Sequence, residues 1–183
     1  SISGAHAGPL NNSVHAQLND NSGWTLTHAE DGVQVSKKYI PALGQTAWKG
    51  ELHVDASVDP ARIFAVVSNT ERMKHLNHAL SESKIISKDG SVVTYYQVLE
   101  APALVPISDR WWINRAVGRT NVDGTSGQFR RQWSSVPVGE MADVRASIAS
   151  QYPSAVEVPQ THGCWEIMAG DEGGSLVVYR SAS

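Results

Sequence analysis

With 183 residues, the chain has the length of one domain with little to spare. Fifteen Lys and Arg against 18 Asp and Glu leave a formal charge of −3, which argues against the basic surface a general nucleic-acid binder needs. Hydrophobic residues make up 41% and charged residues 18%, the balance of a globular core, and the single cysteine, Cys164, excludes an internal disulfide framework and a Cys-rich zinc site. No apolar run approaches the roughly 18 residues of a membrane helix. The sequence opens at Ser1 with neither a methionine nor a signal pattern, so it does not specify a compartment.

Residues 1–11 are small and polar and read as a flexible N-terminal arm. Residues 12–20 suit a short helix, capped by Asn12 or Ser13, with Val14 and Leu18 at i, i+4 spacing. A meander of three strands follows. It opens at Trp24, turns at Asp31-Gly32, runs to Tyr39, and turns again between Pro41 and Gly44. Its third strand, 45–54, alternates: Thr46, Trp48, Gly50, Leu52 and Val54 share one face, and Lys49, Glu51 and His53 the other. Asp59-Pro60 reads as an N-cap and first-turn proline of a helix whose stripe is Ile63, Phe64, Val66 and Val67. Asn69 or Thr70 caps a second helix with Met73, Leu76 and Leu80 as its stripe. Strands are expected at 84–88 and 91–99 around Lys88-Asp89-Gly90, then at 107–117 and 127–136. Residues 143–152 suit a short helix capped by Asp143, with a strand as the alternative. Residues 160–169 and 174–182 form a final hairpin. Helix, three strands, helices, then about six strands is an α+β order with an antiparallel sheet.

Alternation also places the candidate binding residues. Arg110, Trp112 and Asn114 share one face of 107–117, Phe129, Arg131 and Trp133 one face of 127–136, and Tyr95, Gln97 and Leu99 one face of 91–99. Aromatic area with a few fixed polar groups is what a ligand site needs. The same pattern also describes an ordinary core with arginine stems lying flat on it. A buried arginine needs a partner. For Arg110 or Arg131 that is Gln97, Asn114, a carboxylate such as Asp109 or a ligand oxygen; without a protein partner, an anionic ligand head group is implied.

The order of elements, with the residues that punctuate it, resembles the START (StAR-related lipid transfer) domains of the helix-grip (SRPBCC) superfamily. The stretches that carry the likeness are Trp24 followed by 31–35 (DGVQV), 48–50 (WKG) leading to 54–57 (VDAS), 61–67 (ARIFAVV), Tyr95-Tyr96-Gln97 and 106–113 (PISDRWWI), together spanning about 22–183. The resemblance implies a curved antiparallel sheet around a hydrophobic cavity, and a START-like domain over 12–183. It implies binding, and transport, of one lipid- or sterol-like molecule, with 100–106 as a gate. The expected lining is Tyr95, Gln97, Arg110, Trp112, Asn114, Phe129, Arg131 and Trp133. The acidic residue and arginine that face each other in sterol-binding members fall near Gln97 and near Asn114 or Ala116, so neutral groups stand in their place. The long closing helix of the family does not follow the last strand before Ser183, so an open side or a shortened sequence is expected. Residues 139–158 are an insertion that could cover part of the opening.

Other chemistry finds less support. His75 and His78 at i, i+3 lack further ligands and read as solvent-facing. Cys164 reads as a buried thiol. There is no GxSxG elbow, while a Ser-His-Asp set is defined only in space. Two alternatives stand beside the carrier: an aromatase/cyclase-like or small hydrolase enzyme, with Tyr95, Tyr179 or Arg110 as acid or base, and an interaction module with an exposed groove, including a dimer. No cofactor, metal or nucleic acid is called for; transient membrane contact is compatible with a carrier.

Overall fold

The computed structural model describes residues 10, 12–102, 106–171 and 173–183. Most of the arm expected over 1–11 and the centre of the 100–106 loop lie outside the described residues. Helix α1 (Asn12–Asn19) buries Val14, His15 and Leu18, the expected i, i+4 face with its neighbour. Strands β1 (Thr25–Glu30) and β2 (Val33–Ile40) join through Asp31 and Gly32, both at positive φ (51° and 78°), the backbone a tight two-residue hairpin demands. β3 (Gln45–Val54) completes the meander.

Helix α2 (Pro60–Ser68) starts as its sequence dictates, with the Asp59 carboxylate accepting from the Ala61 N–H and Pro60 in the first turn. The second helix is shorter than its stripe suggested. A 3-10 turn (Thr70–Arg72), capped by the Asn69 side chain, runs into α3 (Met73–Leu76). Asn77 ends it in an extended conformation, and its side-chain oxygen accepts from the Ala79 N–H. Leu80 therefore opens β4 (Leu80–Asp89) instead of extending the helix.

β5 (Val92–Leu99) follows a turn at Gly90. β6 (Arg110–Thr120) lies three residues beyond the expected 107–117, because pairing sets both its ends: Leu99 of β5 sits opposite Arg110, and Phe129 of the next strand opposite Thr120. β7 (Phe129–Ser135), α4 (Ala142–Gln151), β9 (His162–Ala169) and β10 (Ser175–Ala182) match the expected ranges closely, and the strand alternative for 143–152 falls. Asp143 sits in the first turn of α4 rather than capping it, because the helix already starts after Met141, which stands at positive φ (60°). The two-residue β8 (Val156–Glu157) pairs in parallel with the start of β6.

The strands form one large, open sheet in the order β1-β2-β3-β10-β9-β7-β6-β5-β4, antiparallel apart from the short β8 pairing. The long-range step in this order is β3 against β10, which joins the first meander to the last hairpin. Directly paired residues share a face. One row therefore runs Gly118, Arg131, Trp165, Tyr179, Gly50 across β6, β7, β9, β10 and β3, and the next runs Ala116, Trp133, Gly163, Ser181, Trp48. This is the inner face, which α2 crosses, its Phe64 ring stacked on Phe129 at 5.1 Å.

The outer face carries two apolar clusters. α1 packs Val14 and Leu18 on Ile40, Ala47 and Ala182. α4 packs Ile148 on Tyr96, Val98, Trp111 and Ile113. α4 thus covers the back of β5 and β6, because the outer row of those strands offers it a continuous aromatic and aliphatic surface, while the end of the 139–158 segment returns through β8 to the start of β6 and brings Val158 to the inner face. Burying one such side chain stabilises by about 1.5–3 kcal/mol.

Candidate functional site: an inner-face cavity

A cavity of about 380 Å³ lies between the inner face and the α2–α3 segment. Its floor and walls are aromatic: Tyr95, Trp112, Trp133, Trp165 and Tyr179. Trp133 and Tyr179 stack at 5.8 Å, and Trp165 leans on Tyr179 at 4.6 Å. Val67, Thr70 and Met73 form the roof, and Leu80, Leu99, Ile107 and Arg110 sit toward the loop at 100–106. Ile107 and Arg110 are exposed, which marks this end as the mouth.

The polar groups of the wall are tied to one another. Gln97 accepts from the Trp112 indole N–H at 3.1 Å and donates to Ser83 Oγ at 3.0 Å. Ser83 in turn donates to the Thr70 carbonyl at 2.6 Å. This chain fixes the strand pair β4–β5 to the roof and holds the Trp112 ring in place. Asn114 accepts from the Thr161 hydroxyl and hydrogen-bonds Tyr95. Arg131, only 6% exposed, donates to the Val67 carbonyl at 3.2 Å and to Thr70 Oγ1 at 2.7 Å, and its guanidinium lies 5.5 Å from the centre of the Tyr95 ring.

Burial pushes the Tyr95 and Tyr179 hydroxyls above the ordinary tyrosine value, so both are neutral donors at physiological pH. Burial pulls Arg131 down, with Tyr95 acting against it; a guanidinium nevertheless keeps its charge. Neither Asp nor Glu is among the described residues of the wall.

Seven of the eight expected lining residues meet here: Tyr95, Gln97, Arg110, Trp112, Asn114, Arg131 and Trp133. Arg110 stands at the rim, in solvent. Phe129 does not line the cavity. It sits at the end of its inner row opposite Ile167, where the Phe64 ring of α2 covers it. Sequence reasoning missed Trp165, Thr161 and the roof residues Val67 and Thr70, and took Tyr179 only as an acid or base. Alternation marks Trp165 and Tyr179 as sharing faces with their strands' apolar residues. Which face turns inward depends on β9 lying between β7 and β10, a long-range pairing with no local signal.

His75 and His78 are both exposed, and no group of three or more His, Cys, Asp or Glu side chains among the described residues could hold a metal ion. Cys164 is fully buried on the outer face, beside Arg180.

No protein-family model matches the chain, and no curated protein matches it. Solved structures do. A StAR-related lipid transfer protein fragment from Xanthomonas axonopodis superimposes with a TM-score of 0.68 at 18% identity, over 88% of this chain and 82% of that one. Human StAR-related lipid transfer protein 5 gives 0.70 at 14% identity, over 92% and 76%. The lipid transfer and protein localization domain of human StarD13 gives 0.65 at 18%, over 96% and 83%. The chain has the START helix-grip fold.

Proposed function

We propose that this chain binds one hydrophobic small molecule in the inner-face cavity and carries it in a form shielded from water. The observation that supports this most is the cavity wall itself. Five aromatic rings face a space of about 380 Å³, and the wall's few polar groups are held in fixed positions by their neighbours. Apolar area supplies affinity at roughly 25 cal/mol per Å² buried, and the fixed polar groups supply orientation. The lipid transfer named for the structural relatives supports the same reading.

In this reading the ligand enters past Leu99, Ile107 and Arg110 and lies along Trp112 toward Trp133 and Tyr179. Trp112→Ala removes ring area from the wall, and Gln97→Leu frees the indole and Ser83. Both variants are expected to weaken binding of a fluorescent lipid at least about tenfold, roughly 1.4 kcal/mol. Trp112 is only half-buried, so its truncation is expected to lower the melting temperature by just a few degrees. A loss of fold that tracks the loss of binding in both variants would count against the proposal.

A further inference from the structure

Arg131 and Arg130 are neighbours in sequence and opposites in surroundings. Arg130 points to the outer face, where Glu166 accepts from its Nε at 3.0 Å and from its Nη2. Arg180, also buried on that side, gives Nη1 to the other oxygen of the same carboxylate at 2.9 Å. Two outer cations therefore share one buried anion. Arg131 points inward and has no such partner. Its contacts are a carbonyl, a hydroxyl and an aromatic face, all neutral, and no carboxylate lies within ion-pair distance among the described residues. Removing a charge from water without a counter-charge is costly.

The buried amides of the wall are already bonded to their neighbours, Gln97 to Trp112 and Asn114 to Thr161, and Arg110 stands in solvent at the rim. The guanidinium differs, because it carries more N–H groups than its two hydrogen bonds use. Its position also suits an anchored head. It lies over Tyr95, which pairs with Asn114, while Leu99 and Arg110 pair four residues further along the same strands. At about 3.3 Å per residue, the mouth is roughly 13 Å away. The path between is lined by Trp112, Leu80 and Leu99.

Resting on the binding function proposed above, we propose that the ligand is an amphiphile with a single oxyanion head, a carboxylate in its simplest form, which docks on Arg131 while its apolar tail runs toward the mouth at Leu99 and Ile107. The head completes the charge balance that the fold leaves open on its inner face. Charge-assisted hydrogen bonds to a guanidinium are the strong kind, and in a water-poor cavity they are weakly screened.

The test is a titration of the full chain with dodecanoate and with dodecanol, followed through the tryptophans of the wall, on the wild type, Arg131→Gln and Arg131→Lys. The wild type is expected to bind dodecanoate about tenfold more tightly than dodecanol, the worth of one charge-assisted bond. Arg131→Gln is expected to bring the two affinities level, and Arg131→Lys to keep part of the preference. Equal affinities in the wild type overturn the anionic head and leave the cavity function standing; this comparison needs no variant to fold. A preference that survives in a folded Arg131→Gln overturns the role of Arg131. If neither compound binds, both this inference and the binding function fall.

Discussion

Gly163 shows how one residue shapes the cavity. It lies in the inner row between Trp133 and Ser181, and a Cβ at this position would collide with the Trp133 ring and the Arg180 carbonyl. The missing side chain is the space the indole occupies, and through Trp133 it sets where Tyr179 stacks. One obstacle is backbone and the other a packed ring, so neither yields cheaply. Gly163→Ala is expected to destabilise the fold by about 1–3 kcal/mol, read as a drop in urea midpoint at constant slope, and to reduce ligand binding along with it. An unchanged midpoint would mean that Trp133 can move aside. In the sequence, Gly163 before Cys164 and Trp165 gives no hint of this. Trp133 and Gly163 are 30 positions apart, and only strand order makes them neighbours.

At the scale of elements, α1 is held to the sheet by more than its apolar stripe. His15 Nε2 sits 3.0 Å from Ser134 Oγ, and His162 Nδ1 reaches the same hydroxyl at 3.1 Å, so helix, β7 and β9 meet at one oxygen. Burial, with the neighbouring His162 adding to it, lowers His15 from 6.5 to about 4, and burial lowers His162 as well. Both histidines are neutral in the fold at pH 7, and the unfolded chain binds their protons more readily. Stability is therefore full above pH 6.5 and declines as pH falls toward 4. For His15 alone the decline between pH 7.5 and 5 is about 2 kcal/mol. Carboxylates that the fold holds below their ordinary values, Glu166 among them, contribute their losses at lower pH. Chemical denaturation at pH 7.5 and pH 5 is expected to show this loss in the wild type and a smaller one in His15→Gln. A pH-independent midpoint over that interval would contradict the assignment. The i, i+4 pair Val14 and Leu18 made the helix legible. The meeting of His15 with His162 was not, because it joins residues 147 positions apart through Ser134 of a third element, β7.

For the whole molecule, the elements and their inner faces were largely readable from period-two alternation and turn residues. Tyr95, Gln97, Trp112, Asn114, Arg131 and Trp133 fall on the wall because alternation within a strand is a local property. Phe129 escaped because its cover is Phe64, on a helix 65 positions earlier. Of the 139–158 segment, expected at the opening, α4 lies on the outer face, since it presents little amphipathic contrast apart from Val144 and Ile148 and its site is chosen by Tyr96, Trp111 and Ile113, while Val158 at the segment's end does line the cavity. The inner face also continues beyond the cavity onto β2 and β3, where Tyr39 and Trp48 stand 61% and 48% exposed. The inner faces of β5, β6, β7, β9 and β10, set side by side by long-range pairing, line a space with rings that a short helical segment roofs, and the proposed carrier function rests on that space. Native mass spectrometry of the purified chain, with organic extraction and identification of what is released, tests it most directly. The account predicts one amphiphilic molecule per chain, or uptake of one when lipids are offered to an empty chain. A chain that is isolated empty and takes up none of the lipids offered would contradict it.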